Sequence, residues 1–301
     1  MKKMNYLFLA VVSTALIFSS CKKKTEEPAK EEVAPSTYTK KIVLEYFSGS
    51  WCGWCPDGVT YSKNLMNANA GKSAYVVVHN SGNDPMQTPE SKLLADKYNA
   101  GYPTGMVNRV TNAGKAQSRT TWNATATNAL SISAGAGLGI NASNAGSIKV
   151  KIGVGPTDLK AGTKLHVYGV VKSVTRDLGT WGTAYWDQTN YLYQANGFQT
   201  SPYYTKGDYY LTASNGAKIY FIKNYNHEQV LGDIMTTDFD GQVLTGDALK
   251  SGKVTEFTFS LDKGQYANES FQIVAFLSDA TLASPVINAQ YIDLGQTIGF
   301  D

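Results

Sequence analysis

The feature that most constrains this chain is a pair of cysteines, Cys52 and Cys55, set between an apolar run and a helix-forming segment. Lys40 to Phe47 reads as a buried strand, after which Ser48-Gly49-Ser50-Trp51-Cys52-Gly53-Trp54-Cys55-Pro56 turns into a helix running to about Asn69. At a helix start the first sulfur feels the positive end of the dipole and unpaired N–H groups, which favour its thiolate. The two-residue gap brings the second sulfur within one turn, so Cys52 can attack a disulfide and Cys55 can resolve the mixed intermediate. The one other cysteine is Cys21, which excludes a disulfide scaffold. It also argues against zinc, which normally takes four ligands, because His79, His166 and His227 are scattered along the chain. Neither a metal nor a cofactor is expected. A permanent disulfide is the competing reading of the pair.

The downstream residues strengthen the redox reading. Ala74 to His79 supplies a second buried strand, Glu90 to Asn99 a second helix, and then comes Gly101-Tyr102-Pro103-Thr104. The whole arrangement resembles thioredoxin, in which a cis-proline before a strand packs against the redox pair and leaves a backbone edge for the substrate peptide. The resemblance assigns that role to Pro103. A strand over Gly105 to Val110 and a helix over Arg119 to Leu130 would complete an α/β thioredoxin-like domain from about 40 to 130. Glu45 lies near the place where thioredoxins keep a buried acid beneath the second cysteine, which makes it the candidate to take the proton from Cys55. A simple strand-end acid is the alternative. His79 is expected to be structural.

The N-terminus sets the compartment. Lys2 and Lys3 precede an apolar stretch from Tyr6 to Phe18, too short to span a bilayer, and Ser19-Ser20 lead into Cys21. Residues 1–20 therefore read as a lipoprotein signal peptide, with Cys21 the lipidated first residue of the mature chain and the membrane a partner through that lipid. The lysines, glutamates and prolines after it have almost nothing to bury, so residues 21–39 are expected to form a disordered tether.

From about Leu138 the pattern becomes alternating strands separated by turns: Ser147 to Val154, Lys164 to Val174, Val254 to Leu261, Ser270 to Leu277 and Val286 to Leu294. That pattern fits an all-β sandwich domain over 135–301. Between Trp181 and Tyr210 lies an aromatic-rich excursion. Long irregular excursions are often where binding happens, so Trp181, Tyr185 and Trp186 are candidates to stack on a glycan or a host protein, with strand packing the blander account. Asp238-Phe239-Asp240-Gly241 reads as a β-turn rather than a calcium loop. Without residues 1–20 the basic residues fall from 27 to 25, against 24 acidic, leaving no charge excess for nucleic acid.

The signal sequence, the run from Glu45 to Pro56 and the segment Asn226-His227-Glu228-Gln229-Val230-Leu231 together resemble the outer-membrane-protein-28 lipoprotein family. That resemblance implies an outer-membrane location and a thioredoxin-like domain followed by a C-terminal β-domain; thioredoxin-like chemistry, carried onto Cys52, Cys55 and Pro103 alone, would take a protein thiol or disulfide as substrate. A non-enzymatic surface-binding protein, with the cysteines as a staple, is the rival reading. Trp54, where thioredoxins usually have proline, leaves the direction of electron flow open.

Overall fold

The computed structural model describes residues 32–301 apart from 82, 100 and 177–185. The expected signal peptide, Cys21 and most of the expected tether lie outside the described residues, as do Trp181 and Tyr185. Residues 32–301 form one compact unit.

The first half runs β1 (Ile42–Ser48), α1 (Cys55–Ala68), β2 (Ser73–His79), α2 (Pro89–Tyr98), β3 (Thr104–Val107), β4 (Gln117–Ser118) and α3 (Trp122–Leu130). The second half is mostly strand. It runs β5 (Ala136–Asn141), β6 (Ile148–Val154), β7 (Lys164–Val174), β8 (Gln188–Thr189), β9 (Tyr209–Thr212), β10 (Lys218–Ile222) and β11 (His227–Ile234). After these come β12 (Gln242–Val243), β13 (Val254–Phe259), β14 (Phe271–Ser278), β15 (Val286–Asp293) and β16 (Thr297–Ile298).

The segments 40–130 and 135–301, expected as successive domains, share a sheet. A single sheet of order β15-β14-β7-β11-β2-β1-β3-β4 passes through both, with β12 added against β7. The seam is β11 lying parallel to β2, with Val230 opposite Val77. β1 and β2 are parallel and β3 returns antiparallel to β1, with Phe47 opposite Thr104. A buried parallel strand needs cover on both faces, and its sequence reads as continuous Val/Ile/Leu rather than alternation. Accordingly all seven residues of β1 are buried.

Side-chain alternation along β1 divides the core. Ile42, Leu44 and Tyr46 pack with α1 and α3 around Leu65 and Trp122. Val43 and Phe47 face the opposite way, in a cluster that includes Leu94 of α2 and also Tyr168, Val170 and Leu231 from the second half. A third cluster fills the space between the four-stranded sheet β13-β6-β5-β16 and β7 and β14, with Leu138, Ile152, Val167 and Ile273 at its centre. β8, β10 and β9 make a small third sheet of their own.

Charged groups tie the two halves across this frame. The buried Arg109 guanidinium grips Glu45 of β1 through Nε and Nη2, each 2.9 Å from a carboxylate oxygen, and donates through Nη1 to Asp240 at 2.8 Å. Tyr168 of β7 donates to the same Glu45 carboxylate at 2.9 Å. Asp240 also receives Lys97 and Lys164, so the turn at 238–241 serves as an ion-pair anchor. Burial alone would raise the Asp240 pKa, but Arg109 and the hydrogen bonds from Lys97, Tyr98 and Lys164 hold it well below the usual carboxylate range.

The end of the expected tether is a correction. Ala34 N–H donates to the Gly252 carbonyl at 3.1 Å and Thr39 N–H to the Asp301 carbonyl at 2.8 Å. The Tyr38 ring fills the space above Gly137, where a Cβ would come within 2.1 Å of it. The tyrosine gives this stretch something to bury, which the polar composition ahead of it lacks.

Candidate functional site

The strand β1 delivers the chain to a tight turn, Gly49 to Trp54, stabilised by Cys52 N–H to Gly49 C=O at 3.0 Å and Cys55 N–H to Cys52 C=O at 3.1 Å. Helix α1 begins at Cys55, with Trp54 as its N-cap residue and Pro56 in the first turn, where a missing N–H leaves no helical bond unmade. Cys52 therefore sits in the turn ahead of the helix rather than within it. The two cysteines are bonded as a disulfide, with their Cα atoms 5.4 Å apart. Cys52 is 4% exposed and Cys55 is fully buried.

The Tyr102-Pro103 bond is cis, and Pro103 packs against α1 close enough that a Cβ on Gly58 would come within 2.9 Å of the proline ring. Tyr102 meets Trp51 edge to face at 5.0 Å between centroids, and Trp51 Nε1 donates to the Asn80 carbonyl at 3.0 Å. The structure thus bonds Cys52 to Cys55 and places Pro103 on the first turn of the helix that Cys55 begins, with its neighbour Tyr102 on Trp51.

It does not bring Glu45 to them. Strand alternation turns Glu45 to the face opposite the cysteines, where Arg109 and Tyr168 occupy its carboxylate. The β1 residue beneath the pair is Tyr46, whose hydroxyl donates to the Cys55 carbonyl at 2.8 Å. Burial drives the Tyr46 pKa above the ordinary phenol value, so it is a neutral donor there. Both faces of β1 are apolar enough that a period of two could not assign sides, and the acid drew attention by its chemistry alone.

A buried polar group supports the turn from behind. Asp84 accepts Ser50 N–H at 2.9 Å on the oxygen that also bonds His79 Nδ1 at 2.8 Å. Burial works to raise the Asp84 pKa, but the adjoining His79 and the backbone donors of Met86 and Ser50 bring it below the usual value. The His79 ring meets that of His227 edge to face at 5.3 Å, and His227 Nε2 bonds the Trp186 carbonyl at 2.8 Å. Burial, with His79 adding to it, lowers the His227 pKa to about 4, so this ring is neutral in the folded protein.

That shift has a sign. Between an unfolded value of about 6.5 and a folded value of about 4, the unfolded chain binds the extra proton, so stability is fully present above pH 6.5 and falls as pH drops toward 4. The full loss is on the order of 3 kcal/mol. Urea unfolding midpoints from pH 7 to pH 4 will show this decline, added to that of the buried His166, whose pKa burial also lowers, and His227→Gln will make it shallower; an equally steep decline in that variant would assign the slope elsewhere.

The ring candidates resolve differently. Trp186 is 7% exposed, packed into the core with Arg176 over its ring at 5.6 Å, and offers no open platform. The aromatics near the cysteines come from further along. Tyr191 meets Trp54 at 5.9 Å and Phe198 meets it at 5.5 Å, with Trp54 and Tyr191 40% and 44% exposed. The abundance of tyrosine signalled an aromatic surface, but nothing local could say which rings would reach residue 54. Among the described residues, no group of three or more His, Cys, Asp or Glu side chains is placed to hold a metal ion, and no helix is long and apolar enough to cross a membrane.

Comparison with solved structures shows a shared fold with HBP35 of Porphyromonas gingivalis, at a TM-score of 0.58 and 18% identity, covering 87% of this chain and 77% of that one. A protein of Agrobacterium tumefaciens is similar at a TM-score of 0.44 and 11% identity, over 86% of this chain and 96% of that one. No curated protein matches the sequence. The sequence profile of the family described as Outer membrane protein Omp28 matches residues 91–297, beginning after the cysteine turn and running from α2 to the last strand. Because the match spans well over half of the sequence, the chain belongs to the Omp28 outer membrane protein family.

Proposed function

We propose that this is a lipid-anchored outer-membrane protein whose first half is a thioredoxin-like unit, and that its Cys52–Cys55 pair exchanges thiols and disulfides with a protein partner. The observation that carries the reading is the bonded pair at the start of α1, with Cys52 4% exposed and Cys55 fully buried. That asymmetry suits Cys52 to forming the mixed disulfide and Cys55 to resolving it. In the reducing direction the Cys52 thiolate attacks a partner disulfide and one partner sulfur leaves as a thiol. Cys55 then attacks Cys52, releasing the second partner thiol and restoring the Cys52–Cys55 bond. Pro103, packed on α1 beside the pair, is suited to hold the partner's backbone. Tyr46 takes the place beneath Cys55 that Glu45 was expected to fill, and its hydroxyl fixes the Cys55 carbonyl rather than moving a proton. The lipid on Cys21 supplies the membrane attachment.

The reduction potential of the pair tests the reading. Equilibration with glutathione buffers and trapping of free thiols should give a value between roughly −270 and −120 mV, the range of working oxidoreductases. A pair that stays oxidised well below about −300 mV is a structural staple and would overturn the exchange reading.

A further inference from the structure

The small sheet β8-β10-β9 is separate from the two larger sheets, yet its first strand and the residues after it lie directly on the cysteine turn. Thr189 N–H donates to the Ser50 carbonyl at 2.7 Å, and Tyr191 N–H to the Gly53 carbonyl at 2.9 Å. The Gln188 side-chain amide donates to the Cys52 carbonyl at 2.9 Å and to the Gly49 carbonyl at 3.3 Å. Thus the carbonyls of Gly49, Ser50, Cys52 and Gly53 are all occupied by a segment about 140 residues away in sequence. The ring of Tyr191 lies flat on Gly53, so close that a Cβ there would fall 2.3 Å from it.

We propose that the sheet formed by β8, β10 and β9 is a lid seated on the Cys52–Cys55 turn, and that the pair reacts with a partner only when this lid lifts. The inference rests on the exchange reading for its biological sense, but not for its geometry. Three observations carry it. Cys52 is 4% exposed with the lid in place, too little for a partner sulfur to approach in line with the disulfide. The lid is built to move as one piece, because Asn190 ties its strap internally: its N–H donates to the Tyr220 carbonyl at 2.8 Å, and its side-chain amide to the carbonyls of Tyr203 at 2.9 Å and Lys206 at 2.6 Å. Its grip on the turn is a short set of hydrogen bonds together with the Tyr191 and Phe198 rings against Trp54, with no strand of the small sheet paired to the larger sheets, and so small a contact opens at lower cost than the core ladder.

The strap also shows what chemistry can replace it. An extended polypeptide carries backbone N–H donors at the spacing of Thr189 and Tyr191, so a partner segment laid along the turn would satisfy the Ser50 and Gly53 carbonyls that the lid vacates. The exposed Trp54 and Tyr191 rings at the margin would meet such a segment first.

The test monitors the full-length protein and two variants, Gln188→Ala and Tyr191→Ala, as dithiothreitol reduces the pair. Each reaction breaks the Cys52–Cys55 bond, gives both cysteines a proton and an electron, and converts the reagent to its cyclic disulfide. Each variant should be reduced about tenfold faster than the parent, and reoxidised faster by the same factor, because loss of a lid contact favours the open form in both directions. The equilibrium potential should stay where it was. Hydrogen exchange on the unaltered protein provides a second reading: the amides of Thr189 and Tyr191 should exchange together, and faster than those of Val77 and Val78 in the core ladder. Parent-like rates in both variants, a potential change that accounts for the whole rate change, or strap amides as protected as the core would each overturn the lid. Inertness toward protein disulfides, with these kinetics intact, would remove the exchange reading and leave the lid standing.

Discussion

Arg109→Ala should lower the stability of this protein by about 3–5 kcal/mol, the loss typical of removing one partner from a buried ion pair. For a chain of this size the midpoint of thermal unfolding would fall by roughly 10 °C. The size of the effect comes from the groups left behind. Asp240 keeps Lys97 and Lys164 when the guanidinium goes, so that carboxylate stays paired. Glu45 keeps one hydroxyl, Tyr168, at the centre of a sheet with no water to replace the lost fork. Arg109→Lys should recover little, because a single ammonium cannot reproduce the two parallel bonds to Glu45 together with the third to Asp240. Adding Glu45→Gln to the alanine variant should recover part of the loss by removing the stranded charge. If calorimetry finds Arg109→Ala within about 1 kcal/mol of the parent, the charged seam between the halves is decorative and Val230, Tyr168 and the surrounding apolar contacts hold it alone.

Much of this architecture could be read from the sequence, and the failures share a physical cause. Strands such as Lys164–Val174 and Val286–Asp293 were legible because alternation and turn residues are local signals, and the observed elements match them closely. The helix from Cys55 to Ala68 was legible from the same kind of signal. The pairing of Val230 with Val77 was not, since it joins residues 153 apart and both are simply apolar. With it went the idea that the two halves would be covered separately. The side on which Glu45 lies was hidden because Val43 and Phe47 bury as completely as Ile42, Leu44 and Tyr46, which removes the polarity that tells one strand face from the other. Composition found the aromatic excursion but could not sort Trp186, which is core, from Tyr191, which covers the cysteine turn.

Cys55→Ser should convert the protein from one that turns over into one that traps. With insulin as a disulfide-bearing probe and the variant reduced beforehand, Cys52 can attack but nothing resolves the product, so a mixed disulfide should accumulate and survive denaturing electrophoresis without reductant. Cys52→Ser should form no such adduct, since Cys55 is fully buried under α1 and the turn, and both variants should reduce insulin at the uncatalysed rate. The lid adds a kinetic signature that a freely exposed pair would lack. Trapping by Cys55→Ser should be slow and only weakly dependent on insulin concentration, because lid opening precedes attack, and adding Gln188→Ala should speed it without changing the final yield. Adducts forming equally well through either cysteine would contradict the assigned roles. Absence of any adduct, even with the lid loosened, would mean that the bonded pair staples the turn on which the small sheet rests and does not exchange with proteins, while the lid itself would stand or fall on the reduction kinetics alone.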